Sequence, residues 1–281
     1  MRKIGVHTSI AGGLHLSLER AFKLGCNTVQ IFSHSPRSWT VKGKSPNEIA
    51  TFRNLKNDHS ISPVCIHTSY LINLASRDNV LVRKSMDMVV AEMNFADSFG
   101  ADYVILHTGS ASGDDPGAAR KRAISCLTEV SKRGNWQAGL LLENTAGKSG
   151  DITSKMTELS EITHNTQGSL IAGVCIDTCH AFSAGYDIAS PEGIGFLSSE
   201  INKYIGRDRL KLFHLNDSKG PRGSGIDRHE HIGKGKIGMK GMRNFLVCPD
   251  FINVPLILET PKKAVGDDLR NLSVVKKLTR E

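Results

Sequence analysis

Gly173-Val-Cys-Ile-Asp177-Thr-Cys-His180 is the stretch on which the fold reading turns. A short apolar run ends abruptly in a carboxylate, and an imidazole follows three residues later, where the chain turns. The same unit recurs along the chain: a short β-branched or apolar run, a polar residue, then a longer amphipathic stretch. The runs are 4–6, 28–32, 63–66, 103–106, 140–142, 173–176, 210–213 and 255–258, which makes eight. Between and after them the pattern predicts helices near 12–25, 46–58, 78–99, 116–133, 153–166, 191–205, 239–247 and 265–279. Ser45-Pro46 and Ser190-Pro191 read as helix starts, because proline is tolerated at the first helical position.

Strands that alternate with helices pair in parallel through right-handed crossovers, and eight such units close into a barrel. A doubly wound open sheet is the competing architecture. It is disfavoured because no G-x-G-x-x-G loop follows the first run, and because polar residues follow every run instead of gathering at one switch point. The expected fold class is therefore α/β, a (β/α)8 TIM barrel. No Pro/Ser/Gly-rich linker divides the chain, so residues 1–281 are expected to form a single domain. The longest irregular segment, 220–241, reads as a loop after the seventh strand.

In a parallel barrel all strand C-termini emerge on one face, so the residue after each run points to a shared rim. Those residues are His7, Ser33-His34, His67, His107, Glu143, Asp177, His214 and Glu259. One histidine after a strand is usually a structural residue satisfied by its neighbours. Four of them together with three carboxylates are hard to produce by chance, since burying unpaired charges together is costly.

Imidazoles and carboxylates clustered on one rim read as a site for borderline divalent ions, zinc above all. Asp177 and His180 add a second imidazole beside a carboxylate, and Asp227-Arg-His229 places the same two ligand types on one side of an extended segment. The candidate ligands are then His67, His107, Glu143, Asp177, His180, His214, Asp227, His229 and Glu259. That is too many for one ion; with a bridging carboxylate they suffice for three. Such a cluster suits phosphodiester hydrolysis, because the ions can generate a nucleophile from water near neutral pH and neutralise charge on the phosphate. Cys179, beside His180, could also coordinate a metal but reads as structural, since the Asp and His types already suffice.

Composition agrees with that chemistry. Lys plus Arg number 36 against 28 Asp plus Glu, a net charge of +8, which favours an anionic partner such as a nucleic acid backbone. No segment approaches the roughly 18 uninterrupted apolar residues of a membrane helix, so no membrane association is expected. The six cysteines include no C-x-x-C pair, and Met1-Arg2-Lys3 leads into the first apolar run without a long apolar leader. A cytoplasmic setting is expected on both counts.

Several motifs carry a resemblance to a known family. They are Ala11-Gly12-Gly13, His67-Thr-Ser-Tyr70-Leu-Ile-Asn-Leu74, His107-Thr-Gly-Ser110 and Leu142-Glu143-Asn-Thr-Ala-Gly147. They continue with Gly173 to Asp187, Phe213-His214-Leu-Asn-Asp217-Ser-Lys219, Asp227-Arg-His229-Glu-His-Ile-Gly233 and Leu256-Ile-Leu-Glu259-Thr260. In this order, from the first strand to the last, they resemble the motifs of the endonuclease IV family of DNA repair enzymes. The resemblance implies that His67, His107 and Glu143 hold one zinc ion. Glu143 would bridge to a second, completed by Asp177, His214 and Glu259, while His180, Asp227 and His229 would hold a third. It further implies hydrolysis of the phosphodiester on the 5′ side of an abasic site in double-stranded DNA, leaving a 3′-hydroxyl, with removal of blocked 3′ ends as a related activity. A metal-bridging hydroxide oriented by Glu143 would be the nucleophile. Arg37, Tyr70 and Leu71 match residues that enter the duplex at the lesion. Thr68 and Thr108 depart from the pattern, standing where some relatives have Asp and Pro, which leaves the ligands in place but changes their loop surroundings.

Two other functions use parts of the same residue set. A sugar isomerase or epimerase on a similar barrel needs about one metal, held by a set like Glu143, Asp177, His214 and Glu259; it leaves His67, His107, His180, Asp227 and His229 unexplained. A metal-stabilised module that binds damaged DNA without cutting it has no need of so many carboxylates or of an open coordination position. Among the remaining histidines, His34 and His231 are candidates for contacts behind the ligands or to phosphate, and His7 for support of the rim. His15, His59 and His164 fall in or beside predicted helices and read as surface residues. Nothing in the sequence signals an oligomer, and a monomer is expected.

Overall fold

A computed structural model describes residues 2–279; Met1, where the leader reading began, lies outside the described residues, as do 280 and 281. The strands are β1 (Ile4–His7), β2 (Thr28–Phe32), β3 (Val64–His67), β4 (Tyr103–Leu106), β5 (Gly139–Glu143), β6 (Ile171–Asp177), β7 (Leu210–His214), β8 (Asp217–Ser218), β9 (His229–Glu230) and β10 (Leu256–Leu258). All but β8 and β9 form one closed barrel in the order β1-β10-β7-β6-β5-β4-β3-β2. Every pairing in it is parallel, and β1 closes the ring by pairing with both β10 and β2. Closure brings backbones close: a Cβ on Gly5 would lie 1.9 Å from the Thr28 carbonyl oxygen, so only glycine fits there.

The helices are α1 (Leu14–Lys23), α2 (Pro46–Asp58), α3 (Asn79–Phe99), α4 (Pro116–Ser131), α5 (Met156–Asn165), α6 (Thr178–Ser183), α7 (Pro191–Glu200), α8 (Gly238–Leu246) and α9 (Asp267–Leu278). The expected starts at Ser45-Pro46 and Ser190-Pro191 hold. Ser45 Oγ accepts from the Glu48 N–H while Glu48 accepts from the Ser45 N–H, and Ser190 Oγ accepts from the Gly193 N–H. The helix expected over 191–205 is α-helical only to Glu200, and its last turn, Ile201–Ile205, winds as a π-helix. Other ends shift by one to three residues, as fraying termini do.

Outward-facing strand residues such as Val6, Ile31, Ile66, Leu106, Leu142, Ile176 and Leu258 pack against the helix ring in one continuous core. This two-sided burial is why the strands read as unbroken apolar runs instead of alternating ones. Between helices the contacts are aromatic in places: Phe52 of α2 is fully buried and meets Phe99 of α3 edge to face, ring centroids 5.2 Å apart. Phe52→Ala should cost about 3–5 kcal/mol of folding free energy, read as a lower urea midpoint with an unchanged denaturant slope. A loss below about 1 kcal/mol would mean the site can collapse around the deletion.

Candidate metal centre at the barrel mouth

Inside the barrel, Cys65, Ile105, Leu141, Cys175, Leu212 and Ile257 form a separate small cluster, one residue from each of β3, β4, β5, β6, β7 and β10. Side chains on a strand return to the same face every second residue. Two residues beyond these six stand His67, His107, Glu143, Asp177, His214 and Glu259, one layer higher in the same interior. The apolar cluster is thus the floor on which the polar layer rests.

Glu143 lies at the middle of that layer. Its Oε2 is 3.3 Å from His67 Nε2 and 3.1 Å from His107 Nε2, and its Oε1 is 2.7 Å from His214 Nδ1 and 3.5 Å from His180 Nδ1. Glu259 Oε2 approaches His214 Nδ1 to 3.3 Å. On the other side Asp227 Oδ1 lies 3.2 Å from His180 Nε2 and 3.6 Å from His229 Nε2, and Asp177 Oδ2 lies 3.5 Å from His229 Nε2. Five groups have ligand atoms mutually within 4.8 Å: three of imidazoles and carboxylates alone, His67–His107–Glu143, Glu143–Asp177–His214–Glu259 and His180–Asp227–His229, and two that include a thiol, Glu143–Cys175–His214 and Asp177–Cys179–His229. All nine residues singled out from the sequence therefore come together, and Glu143 belongs to two of the three groups that contain no thiol.

Hydrogen bonds decide which imidazole nitrogen faces inward. His67 Nδ1 lies 2.9 Å from the Thr68 carbonyl, His180 Nδ1 3.0 Å from the Asn144 carbonyl, and His229 Nδ1 3.1 Å from the Glu259 carbonyl. A carbonyl oxygen can only accept, so each of these nitrogens carries a hydrogen and the opposite Nε2 faces the carboxylates, where the neutral ring offers a lone pair. His214 is turned the other way: Nε2 donates to Gln30 Oε1 at 2.7 Å, so Nδ1 faces Glu143 and Glu259. Each of these inward nitrogens faces a carboxylate, so a cation, either a proton on the ring or a metal ion, must lie between the two. His107 Nδ1 and His229 Nε2 are, besides, buried without a hydrogen-bond partner. This donor set, with four of its five imidazoles anchored by an oxygen on the outer nitrogen, fits bound divalent ions.

The field within the cluster is strongly negative. Burial opposes charge on His180, yet Asp177, Asp227 and Glu143 outweigh it and push its pKa up to about 10. Burial would raise Glu143, but the positive charge on His107 and His214, with hydrogen bonds from His214 and His67, holds its carboxyl well below the usual range. Glu259 is held low in the same way, against burial, chiefly by His214 and by a hydrogen bond with His7. Cys175 and Cys179 are different. Burial pushes both thiols up to about 12, and Cys179 Sγ donates to the Arg228 carbonyl at 3.7 Å, as a structural cysteine does.

Several residues that organise this layer escaped the sequence reading. Gln30 bonds His214 through its oxygen and donates through Nε2 to Glu259 Oε1 (2.5 Å) and His7 Nδ1 (2.9 Å), so it orients three rim side chains at once. Asn144 accepts from the Asp177 N–H and donates to the Asp177 carbonyl, while Asn216 donates to Asp177 Oδ2 at 2.7 Å and accepts from the Glu259 N–H at 2.9 Å. The available signal was an amide in the middle of an apolar run (Gln30) or directly beside a ligand (Asn144). Helix α6 was not foreseen either. Asp177 Oδ1 caps it by accepting from the His180 N–H at 2.9 Å, leaving Oδ2 to face His229. Segment 220–241, expected to be irregular, is held at its base by the antiparallel pair β8–β9 and ends in α8. Within it His231 takes a hydrogen bond from Asn271 on α9 and does not line the cavity over the cluster. The departures at Thr68 and Thr108 matter little to the ligands, since Thr68 supports His67 through its backbone carbonyl.

A cavity of about 800 Å³ opens over the cluster, lined on one side by His67, His107, His180, Asp227, His229 and Glu259 and on the other by Ile10, Phe32, His34, Pro36 and Tyr70. Tyr70 is 63% exposed and stands edge-on to Phe32, Arg37 is exposed on the neighbouring loop, and Leu71 is half-buried between them and the core. The Pro36 carbonyl accepts from the Tyr70 N–H (3.1 Å) and from Ser69 Oγ (2.9 Å), which ties these two loops together. Beneath them Glu92 of α3 is fully buried, 3.5 Å from His34 Nδ1.

The fold and site together are those of a TIM-barrel protein whose C-terminal rim carries a carboxylate–imidazole cluster able to hold metal ions. A family model described as xylose isomerase-like TIM barrel matches residues 18–276. The "Probable endonuclease 4" of Halothermothrix orenii is 39% identical over 279 residues, covering 99% of this chain and all of that one. Among solved structures, endonuclease IV from Thermus thermophilus superposes with a TM-score of 0.86 at 35% identity over 98% of both chains. A D-tagatose 3-epimerase-like protein superposes at 0.72 with 18% identity over 98% of this chain and 96% of the other, a likeness of fold alone. The chain belongs to the endonuclease IV family, and its enzyme class is that of deoxyribonuclease IV.

Burial pushes the Glu92 carboxyl up to about 7, against hydrogen bonding from Ser33 and the charge of His67. The folded protein therefore holds this proton more tightly than the unfolded chain does. The associated stability is full below the ordinary carboxylate value of 4.5 and is lost as pH rises through about 7. Glu92→Gln removes that dependence, so urea unfolding should find the variant gaining on the wild type by up to a few kcal/mol between about pH 5 and about pH 8. A difference that stays constant with pH would place the Glu92 pKa in the ordinary range.

Proposed function

We propose that this chain is a zinc-dependent repair endonuclease that hydrolyses the phosphodiester 5′ to an abasic site in double-stranded DNA, leaving a 3′-hydroxyl, and clears blocked 3′ ends with the same site. The observation that carries the reading is the set of three ligand groups around one shared carboxylate, Glu143, beneath an open cavity. A sugar epimerase would have no use for His67, His107, His180, Asp227 and His229 in contact with one another.

In this reading one zinc would be held by His67, His107 and Glu143, a second by Glu143, Asp177, His214 and Glu259, and a third by His180, Asp227 and His229. When bound, the ions supply Lewis-acid activation of water and neutralise charge on the phosphate and the leaving oxygen. The protein does the rest. Glu143 stays ionised at the centre of the layer and aligns the attacking water. Gln30, Asn144 and Asn216 hold His214, Asp177 and Glu259 in place through the hydrogen bonds described above. Tyr70 and Leu71 enter the duplex from the rim, with Arg37 beside them, at the point where an abasic site makes unstacking cheapest. Lys148, on a small cleft beside His107 and His180, and Lys262, on the wall of the main cavity, add positive charge where the DNA backbone would pass. The chain works as a single-domain monomer in the cytoplasm.

Elemental analysis of the purified protein should find three zinc ions per chain, and cutting of a duplex with one abasic site should stop with chelator and return with zinc. Binding without cutting by the zinc-loaded protein would leave a damage-binding module instead. Glu143→Gln should lower turnover by several orders of magnitude while affinity for the abasic duplex changes by less than about ten-fold; cutting at the wild-type rate would remove Glu143 from the chemistry. Binding to the duplex should also weaken steeply with salt, with a log–log slope near −0.9 for each phosphate contacted. A flat salt response would argue against contact with the DNA backbone.

A further inference from the structure

Asp217 belongs to none of the ligand groups, yet it is fully buried and, among the described residues, no cation is paired with it. Its partners are backbone N–H groups. Oδ1 accepts from Ser218 (2.8 Å), Ile237 (3.0 Å) and Gly238 (3.4 Å), and Oδ2 accepts from Gly235 (2.9 Å) and Gly238 (3.2 Å). One carboxylate thus gathers both ends of segment 218–238. The Lys236 N–H donates to the Ser218 carbonyl at 2.7 Å and the Lys219 N–H to the Arg228 carbonyl at 2.9 Å, which closes the loop. The fit is tight enough that a Cβ on Gly235 would lie 2.3 Å from the Ser218 carbonyl oxygen and 2.5 Å from Asp217 Oδ1.

The closed loop carries Asp227 and His229. Strand β9 pairs with β8 in the register Asp217↔Glu230 and Ser218↔His229, so whatever fixes β8 also fixes where His229 emerges. From there His229 Nδ1 reaches the Glu259 carbonyl, and Asp227 reaches His180. His180 sits on a short helix packed on the barrel, whereas its two companions lie on a segment whose buried apolar anchors, Ile232 and Ile237, come only after His229 in the chain.

We infer that Asp217 is a positioning residue for the third ion: by clamping segment 218–238 it sets Asp227 and His229 in register with His180. This rests on the metal reading proposed above. A neutral amide of the same shape would present at least one N–H to backbone N–H groups that need an acceptor, so the clamp would open while the barrel stays closed.

The test compares wild type, Asp217→Asn and Gly235→Ala, the last opening the clamp from its other side should the first not fold. Zinc titration of the chelator-stripped proteins should show three ions in the wild type and, in either variant, two of unchanged affinity with a third bound roughly 10–100-fold more weakly. Limited trypsin digestion of the metal-free proteins gives a second readout, since the segment contains Lys219, Arg222, Arg228, Lys234 and Lys236. Cleavage there should be slow in the wild type and at least ten-fold faster in the variants, with circular dichroism unchanged. Three ions of equal affinity in all proteins, or equal cleavage rates, would overturn the inference and leave the metal reading standing. A wild type that retains no zinc would overturn both.

Discussion

Four carboxylates and five imidazoles within mutual contact distance, most of them shielded from water, are the constraint around which the molecule is built. Charges of one sign brought together in a low-dielectric setting repel by several kcal/mol per pair. Four of the five imidazoles have an oxygen acceptor behind them, which fixes the nitrogen that faces the layer. Such a layer persists only if the scaffold is rigid and the excess negative charge is met by cations. The closed barrel supplies the rigidity, because the ligands stand at strand ends whose backbones are bonded on both sides.

Support for the ligands comes from uncharged amides. Gln30, Asn144 and Asn216 each bond a ligand or its backbone with both ends of the carboxamide, a group that supplies donor and acceptor without adding to the local charge. A lysine or glutamate in the same places would have changed the field that holds Glu143 ionised. The six-residue apolar floor below has a related effect: it keeps water out from beneath the cluster, so interactions within the layer are not screened from that side.

The rim divides into a half made by strand ends and a half made by loops. His67, His107, Glu143, Asp177, His214 and Glu259 come from the barrel, whereas Asp227 and His229 come from a loop segment whose two ends are drawn together by hydrogen bonds to the buried Asp217 carboxylate. Arg37, Tyr70 and Leu71 sit on loops tied through the Pro36 carbonyl. Loops on a rigid scaffold can adapt to a large partner while the strand-end ligands stay fixed.

The repeat of apolar run, polar residue and amphipathic stretch was enough to read the barrel and the polar rim from the chain alone, because period-two strands and helix-forming stretches are local properties. The nine ligand candidates were legible for the same reason, most of them being the first polar residue after a buried strand. Tertiary structure alone decided how they divide: which carboxylate is shared, which nitrogen of each imidazole faces inward, and that Asp177 both caps α6 and faces His229. Gln30, Asn144 and Asn216 could not be assigned from sequence, since their partners lie between 23 and 229 residues away and only closure of the barrel brings them together, while the partners of Asp217 are gathered by the folding of one loop. Local pattern determines which residues point at the rim; the distances among them depend on how the ring closes, and no stretch of the chain encodes that by itself.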